Sequence, residues 1–205
     1  MEITIKQEEA LGLYSSLVLS WNDCFNLTGA KTQNEFYSEH VEFSIRFSSY
    51  LEEYIASLSS TNSISFADIG SGAGIPIIPL AVLLNKYNIS FQAVERSHKR
   101  CVFLRYVNSL LRSKGYINND IRIMECDLKN INSKFDIITF CALSKVQKIE
   151  KDLIRLIKPS GCIFAPKGTY ENALNEIKNI DRLKGELCNI GSEGNYSATV
   201  LKLYL

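Results

Sequence analysis

The rhythm of apolar residues changes near residue 60. Before it, Tyr14, Leu17, Val18, Trp21 and Phe25 recur at i, i+3, i+4, i+7 and i+11, one face of a helix. Phe36, His40, Phe43, Phe47, Leu51, Tyr54 and Leu58 form a second stripe at helical spacing. The polar stretch 57–63 then interrupts the pattern and reads as a loop. This segment predicts a helical cap over roughly residues 5–60, with domains at 1–60 and 61–205.

From Ile64 the chain alternates short apolar runs with helical stretches. The runs at 64–69, 90–95, 121–126, 135–140, 161–165, 186–190 and 198–204 predict strands. Helical patterns at 76–85, 98–113 and 145–157 separate members of the first five. That alternation specifies βαβ units. The expected fold is α/β, Rossmann-like, with a mostly parallel sheet and an antiparallel C-terminal strand. The turn-rich 191–195 between the last two runs predicts a hairpin-like finish.

Composition narrows the function. The chain has 205 residues, 46% of them hydrophobic and 22% charged, which excludes disorder and coiled coil. Its formal net charge of +1 excludes a partner held mainly by a strong overall field. Six scattered cysteines form no CxxC pair and no metal-ligand spacing, so reduced thiols and no metal are expected. The first ten residues lack an apolar h-region and no long apolar run follows, so the expectation is cytoplasmic, without a membrane, and monomeric.

The chemistry concentrates after the first predicted strand, in Asp68-Ile-Gly70-Ser-Gly72-Ala-Gly74-Ile75-Pro76. Gly70 permits a tight turn, and Gly72 and Gly74 would let the backbone approach a ligand. A glycine-rich turn also serves plain packing. The spacing here is DxGxGxG, with Ile75 where a dinucleotide fingerprint has its last glycine. The second strand ends in Glu95, at the distance expected of a ribose-hydroxyl acceptor. The third ends at Cys126-Asp127, where Asp127 either reads an exocyclic amine such as adenine N6 or merely caps a turn. Three such stations at successive strand ends suit S-adenosylmethionine.

Trp21-Asn22, Asn26-Leu27-Thr28, His40-x-x-x-Ser44, Asp68–Pro76, the 99–105 helix start and Lys167-Gly168 together make the chain resemble one family. It is the RsmG (glucose-inhibited division protein B) family of 16S ribosomal RNA methyltransferases. The resemblance implies a class I S-adenosylmethionine-dependent fold and methylation of N7 of one guanine, with ribosomal RNA, within the 30S subunit, as partner. It also implies that Gly70, Ile75, Cys126, Asp127 and Cys141 face the methyl donor, and that His40 and Ser44 lie near the substrate. Without the family, His40 reads as a core histidine. Lys167, ending the fifth strand, points toward the same edge.

Guanine N7 carries a free lone pair, so no general base is required and none is assigned. An Asn/Asp-Pro-Pro-aromatic motif for exocyclic amines is missing after the fourth strand, where Thr139-Phe140-Cys141-Ala142 stands. Cys141 as a covalent nucleophile is disfavoured, because Phe140 occupies the place where such enzymes carry proline. The chain departs from the family at Phe43 for an acid, and at Glu125, Cys141 and Asn195 for arginines. Lys145 or Lys167 would have to substitute. The alternative is a weakly catalytic RNA-binding or ribosome-assembly factor.

Overall fold

Thr4 opens α1 (Ile5–Phe25) with a capping box to Gln7, and Asn26, in the left-handed region at φ 50, closes it. The computed structural model describes residues 2–58, 63–193 and 196–205. The stripe at 36–58 is not one helix. A short α2 (Gln33–Phe36) leads into a π-helical turn at Tyr37–Val41 and then α3 (Glu42–Ser57). The wider turn shifts the helical phase at His40, whose side chain is 38% exposed, whereas Val41 is fully buried. The expected break at 57–63 begins after α3, and its residues 59–62 lie outside the described residues.

The alternating region forms β1 (Ile64–Ile69), α4 (Ile77–Leu83), β2 (Ile89–Glu95), α5 (His98–Ser113), β3 (Ile121–Glu125), β4 (Phe135–Thr139) and α6 (Val146–Leu156). β5 (Ile157–Lys167) follows α6 directly and is more than twice as long as expected. A helix absent from the expected pattern, α7 (Tyr170–Ile177), leads to β6 (Lys184–Glu193) and β7 (Tyr196–Tyr204). It buries fully only Ala173 and starts on a Thr169 cap, too little apolar signal for periodicity to register.

The strands join in one sheet in the order β3-β2-β1-β4-β5-β7-β6. The first five are parallel, and β7 pairs antiparallel with both β5 and β6. Alternation along the strands divides the core. Phe66, Ile137 and Phe164 face one layer, Ala67, Ile138 and Ile163 the other. The first layer also buries Tyr14, Phe36, Phe47 and Leu51, so α1–α3 share a core with the sheet. Strand order reverses between β1 and β4, which opens a crevice at their carboxyl ends.

Candidate functional site

The glycine turn after β1 is held mainly through its own backbone N–H and carbonyl groups. Gly70 and Ser71 donate their N–H groups to the Val94 carbonyl at 2.8 and 3.1 Å. Gly72 donates to Glu95 Oε2 at 3.0 Å, and Ser97 donates to Glu95 Oε1 at 2.8 Å. From α1, the buried Tyr14 hydroxyl donates to the Ala73 carbonyl at 2.9 Å. Burial, with the Asp68 charge adding, keeps that phenol protonated by raising its pKa well above the usual range. Helix α1, the turn and the end of β2 thus fix one another.

Two loop glycines have different reasons. At Gly72, φ is +55 and an added Cβ would meet nothing closer than the Gly70 carbonyl at 3.8 Å, so its open side faces a cavity. At Gly74 an added Cβ would come within 2.5 Å of Ile78 and 3.0 Å of Leu104. The expected ligand approach at Gly74 is corrected: it exists for close packing of α4 and α5 on the turn.

Asp68 is corrected as well. It is fully buried beneath the turn and does not line the cavity. Its Oδ1 accepts from the Thr139 hydroxyl at 2.7 Å, while Oδ2 is buried with no partner. Burial pushes its pKa up to about 7. An acid at this position supports the floor of the site.

The cavity above the turn measures about 740 Å³. Gly70, Gly72, Ile75, Glu95, Cys126 and Asp127 all line it, so the three strand-end stations converge. Asp127 also accepts from Lys129 N–H at 3.0 Å and caps a 3-10 turn, Leu128–Asn130. Capping leaves carboxylate lone pairs for a ligand, so its two expected roles are compatible. Periodicity missed Leu27 and Thr28, which form another wall. Asn22 places them: its Oδ1 accepts from both their N–H groups, at 2.8 and 2.9 Å, and its Nδ2 donates to the Thr28 carbonyl. The Asn22 and Asn-Leu-Thr spacing was the available signal.

A second cavity of about 750 Å³ lies against α3, α6 and α7. His40, Ile75, Cys141, Ala142 and Ser144 line both, so the cavities meet there. Burial, reinforced by Asp68, pushes the Cys141 thiol up to about 11, which keeps it protonated near neutral pH and unsuited to nucleophilic attack. Burial lowers the His40 pKa and favours a neutral imidazole. Ser44, expected near the substrate, is fully buried and donates its hydroxyl to the His40 carbonyl at 2.7 Å. The expected position near the substrate is corrected: the helix backbone consumes the hydroxyl one turn away. Lys167 does line the second cavity, but it pairs with Glu176 at 3.0 Å and lies 5.2 Å above the Phe140 ring.

Glu125, which stands where an arginine was expected, lies outside both linings and pairs with His98 at 2.7 Å and Arg105 at 2.9 Å. The His98 and Arg105 hydrogen bonds hold its carboxyl below the usual range. Asn195 lies outside the described residues. Among the described residues, no group of three His, Cys, Asp or Glu side chains is placed to hold a metal, and no helix is long and apolar enough to cross a membrane.

Comparison with known proteins bears on the family and the fold. Residues 7–189 match the family model described as rRNA small subunit methyltransferase G. The chain is 30% identical over 164 residues to ribosomal RNA small subunit methyltransferase G of Aquifex aeolicus, covering 80% of this chain and 77% of that protein. It is 29% identical over 178 residues to the Brachyspira hyodysenteriae protein of the same name, covering 87% and 79%. In fold it is similar to magnesium protoporphyrin IX methyltransferase from Synechocystis with bound S-adenosylmethionine, at a TM-score of 0.61 and 10% identity over 94% of this chain and 97% of that one.

Proposed function

The chain belongs to the rRNA small subunit methyltransferase G family, and on that premise we propose that it transfers a methyl group from S-adenosylmethionine to N7 of a guanine in 16S ribosomal RNA. The observation that carries this reading is the junction of two cavities at His40, Ile75 and Cys141. One cavity suits the donor and the other the acceptor base.

The donor cavity fits its cofactor by the chemistry of its walls. Gly72 leaves its Cβ side open, Glu95 presents a carboxylate for hydroxyl groups, and Asp127 presents one for an amine. The Asp68 carboxyl beneath the turn has an unpartnered Oδ2, and a cationic ligand above it would favour its charged form. When bound, S-adenosylmethionine supplies an electrophilic methyl group.

This chain's residues then position and desolvate. N7 attacks with its own lone pair and loses no proton, so no side chain need act as base. The guanine becomes cationic as its N–C bond forms and the sulfonium S–C bond breaks, the electron pair leaving on a neutral thioether. A neutral His40 at the junction avoids opposing that charge, and the protonated Cys141 presents a small, uncharged surface. Orientation and exclusion of water supply the acceleration. His40 and Lys167 are the proposed substrate-side residues from the strand and helix that border the acceptor cavity.

With a net charge of +1, the chain has little field for holding free RNA. A presented, unstacked guanine on the 30S subunit, methylated by a monomer in the cytoplasm, is the substrate form proposed. The test is radiolabelled methyl transfer to 30S subunits from cells lacking the gene, followed by digestion and mass spectrometry. 7-Methylguanosine in 16S RNA is the expected product. A folded, cofactor-binding protein that leaves that RNA unmodified would overturn the proposal in favour of an assembly factor.

A further inference from the structure

Resting on that reading, we infer that Phe43 and Arg46, one turn apart on α3, form a clamp for the target nucleotide: the guanine face lies on Phe43 and its backbone phosphate on the Arg46 guanidinium. Both side chains line the acceptor cavity. His40, Phe43 and Arg46 recur every three residues, so they follow one another along one side of the helix. At about 1.5 Å of rise per residue, Arg46 stands roughly 9 Å beyond His40 and the donor junction. The base therefore meets the junction end and the phosphate the outer end.

Lys145 and Lys167 also line the cavity, and three features separate Arg46 from Lys167. Lys167 is already neutralised by Glu176 at 3.0 Å, with its side chain 10% exposed. Arg46 has no ion pair among the described residues, and its Nε is buried with no hydrogen-bond partner. Its stem packs beside β6, where a Cβ on Gly191 would lie 3.6 Å from Arg46 Cδ. A guanidinium in a cavity wall without an ion pair is poised for an anionic acceptor supplied by a ligand.

The chemistry of the reaction selects phosphate as that acceptor. An arginine fork on guanine ordinarily takes O6 and N7 together. N7 is the methylated atom, so that contact would block the reaction. A guanidinium against the ring would also oppose the positive charge that develops on the base. A phosphate avoids both conflicts and matches the fork geometry. Phe43, stacked on Phe47 with ring centroids 5.7 Å apart, supplies a ring already braced on its other side.

The experiment compares wild type with Arg46→Gln, Arg46→Lys and Phe43→Leu, using methyl transfer to 30S subunits at several salt concentrations and calorimetry of S-adenosylmethionine binding. Arg46→Gln is expected to raise KM for 30S about tenfold, with kcat and cofactor affinity within about twofold. Its plot of log affinity for the RNA against log salt should lose about 0.7–0.9 of slope, one phosphate contact. Arg46→Lys should recover the slope but only part of KM. Phe43→Leu should raise KM about fivefold or more without changing the slope. Unchanged KM and slope in a folded Arg46→Gln overturn the clamp, as does a loss that Arg46→Lys does not begin to restore. If wild type transfers no methyl, the reading of function fails separately. The clamp is then judged by the same salt slope for binding of a guanine-containing oligoribonucleotide.

Discussion

The donor and acceptor cavities are nearly equal in size and share a wall, yet they are built differently. The donor cavity is a backbone structure. Its turn is fixed by N–H groups on Val94 O and the Glu95 carboxylate, and its floor hides an acid with an orphaned oxygen. The acceptor cavity is a side-chain structure. Its walls come from α3, α6 and α7, and the Lys167–Glu176 pair ties β5 to α7, while Glu176 Oε2 also accepts from Val146 N–H at 2.9 Å. Backbone can be specified by a few adjacent glycines, whereas paired side chains need elements distant in sequence. The comparison teaches why the donor cavity is marked by one contiguous motif and the acceptor cavity only by scattered pieces.

The largest expected effect breaks the donor side from below. The Asp68 pKa rises from 3.8 to about 7 because burial penalises the charged form. A carboxyl raised on folding contributes stability that is complete below its unfolded pKa and lost as pH climbs through the folded one. Asp68 should therefore cost about 4 kcal/mol of stability between pH 4 and pH 8. Other carboxylates titrate oppositely, so the measurement is a difference: denaturant unfolding of wild type minus Asp68→Asn across that range. A difference independent of pH would remove the buried-charge account.

Next comes the turn itself. Gly72→Asp places a β-carbon at φ +55 and a second carboxylate beside Glu95. S-adenosylmethionine binding should weaken about 100-fold, roughly 2.7 kcal/mol, by calorimetry on the folded variant. RNA binding should persist, since Gly72 does not line the acceptor cavity. Equal loss of both would mean that the cavities are one cooperative unit.

A smaller effect sharpens the donor assignment. Asp127→Ala should weaken cofactor binding about tenfold by removing a charged acceptor, and adenosine binding by a similar factor. Methionine-like competitors should be indifferent to it. If adenosine binds the variant as tightly as the parent, Asp127 is only the cap of its 3-10 turn.

The smallest effect lies at the shared wall. With its thiol pKa at about 11, Cys141 is protonated at neutral pH. Cys141→Ala should leave turnover within about threefold. A folded but inactive variant would mean that the sulfur takes part in the chemistry.

Much of this was legible in the chain because the signals are local. Gly70, Gly72, Glu95 and Asp127 each sit at a strand end, and a parallel sheet carries successive strand ends to one edge whatever the side chains do elsewhere. Strand β1 and helix α5 have the bounds that alternation and periodicity predict. Helix α7 escaped because eight residues with one fully buried side chain carry too little periodic signal.

What the sequence by itself determined, then, is the sheet, the glycine turn and the family, since these depend on period and adjacency. Tertiary structure alone decided which members of the motif touch the cavity. Asp68 and Gly74 belong to the same nine-residue motif as Gly72, yet one is buried under the turn and the other is pressed against Ile78 and Leu104. It also decided that Ser44 turns inward to the His40 carbonyl, that Lys167 is neutralised, and that Arg46 Nε is left without an acceptor. The physical reason is that burial and pairing depend on what packs from elsewhere in the chain, and no local pattern encodes the neighbour.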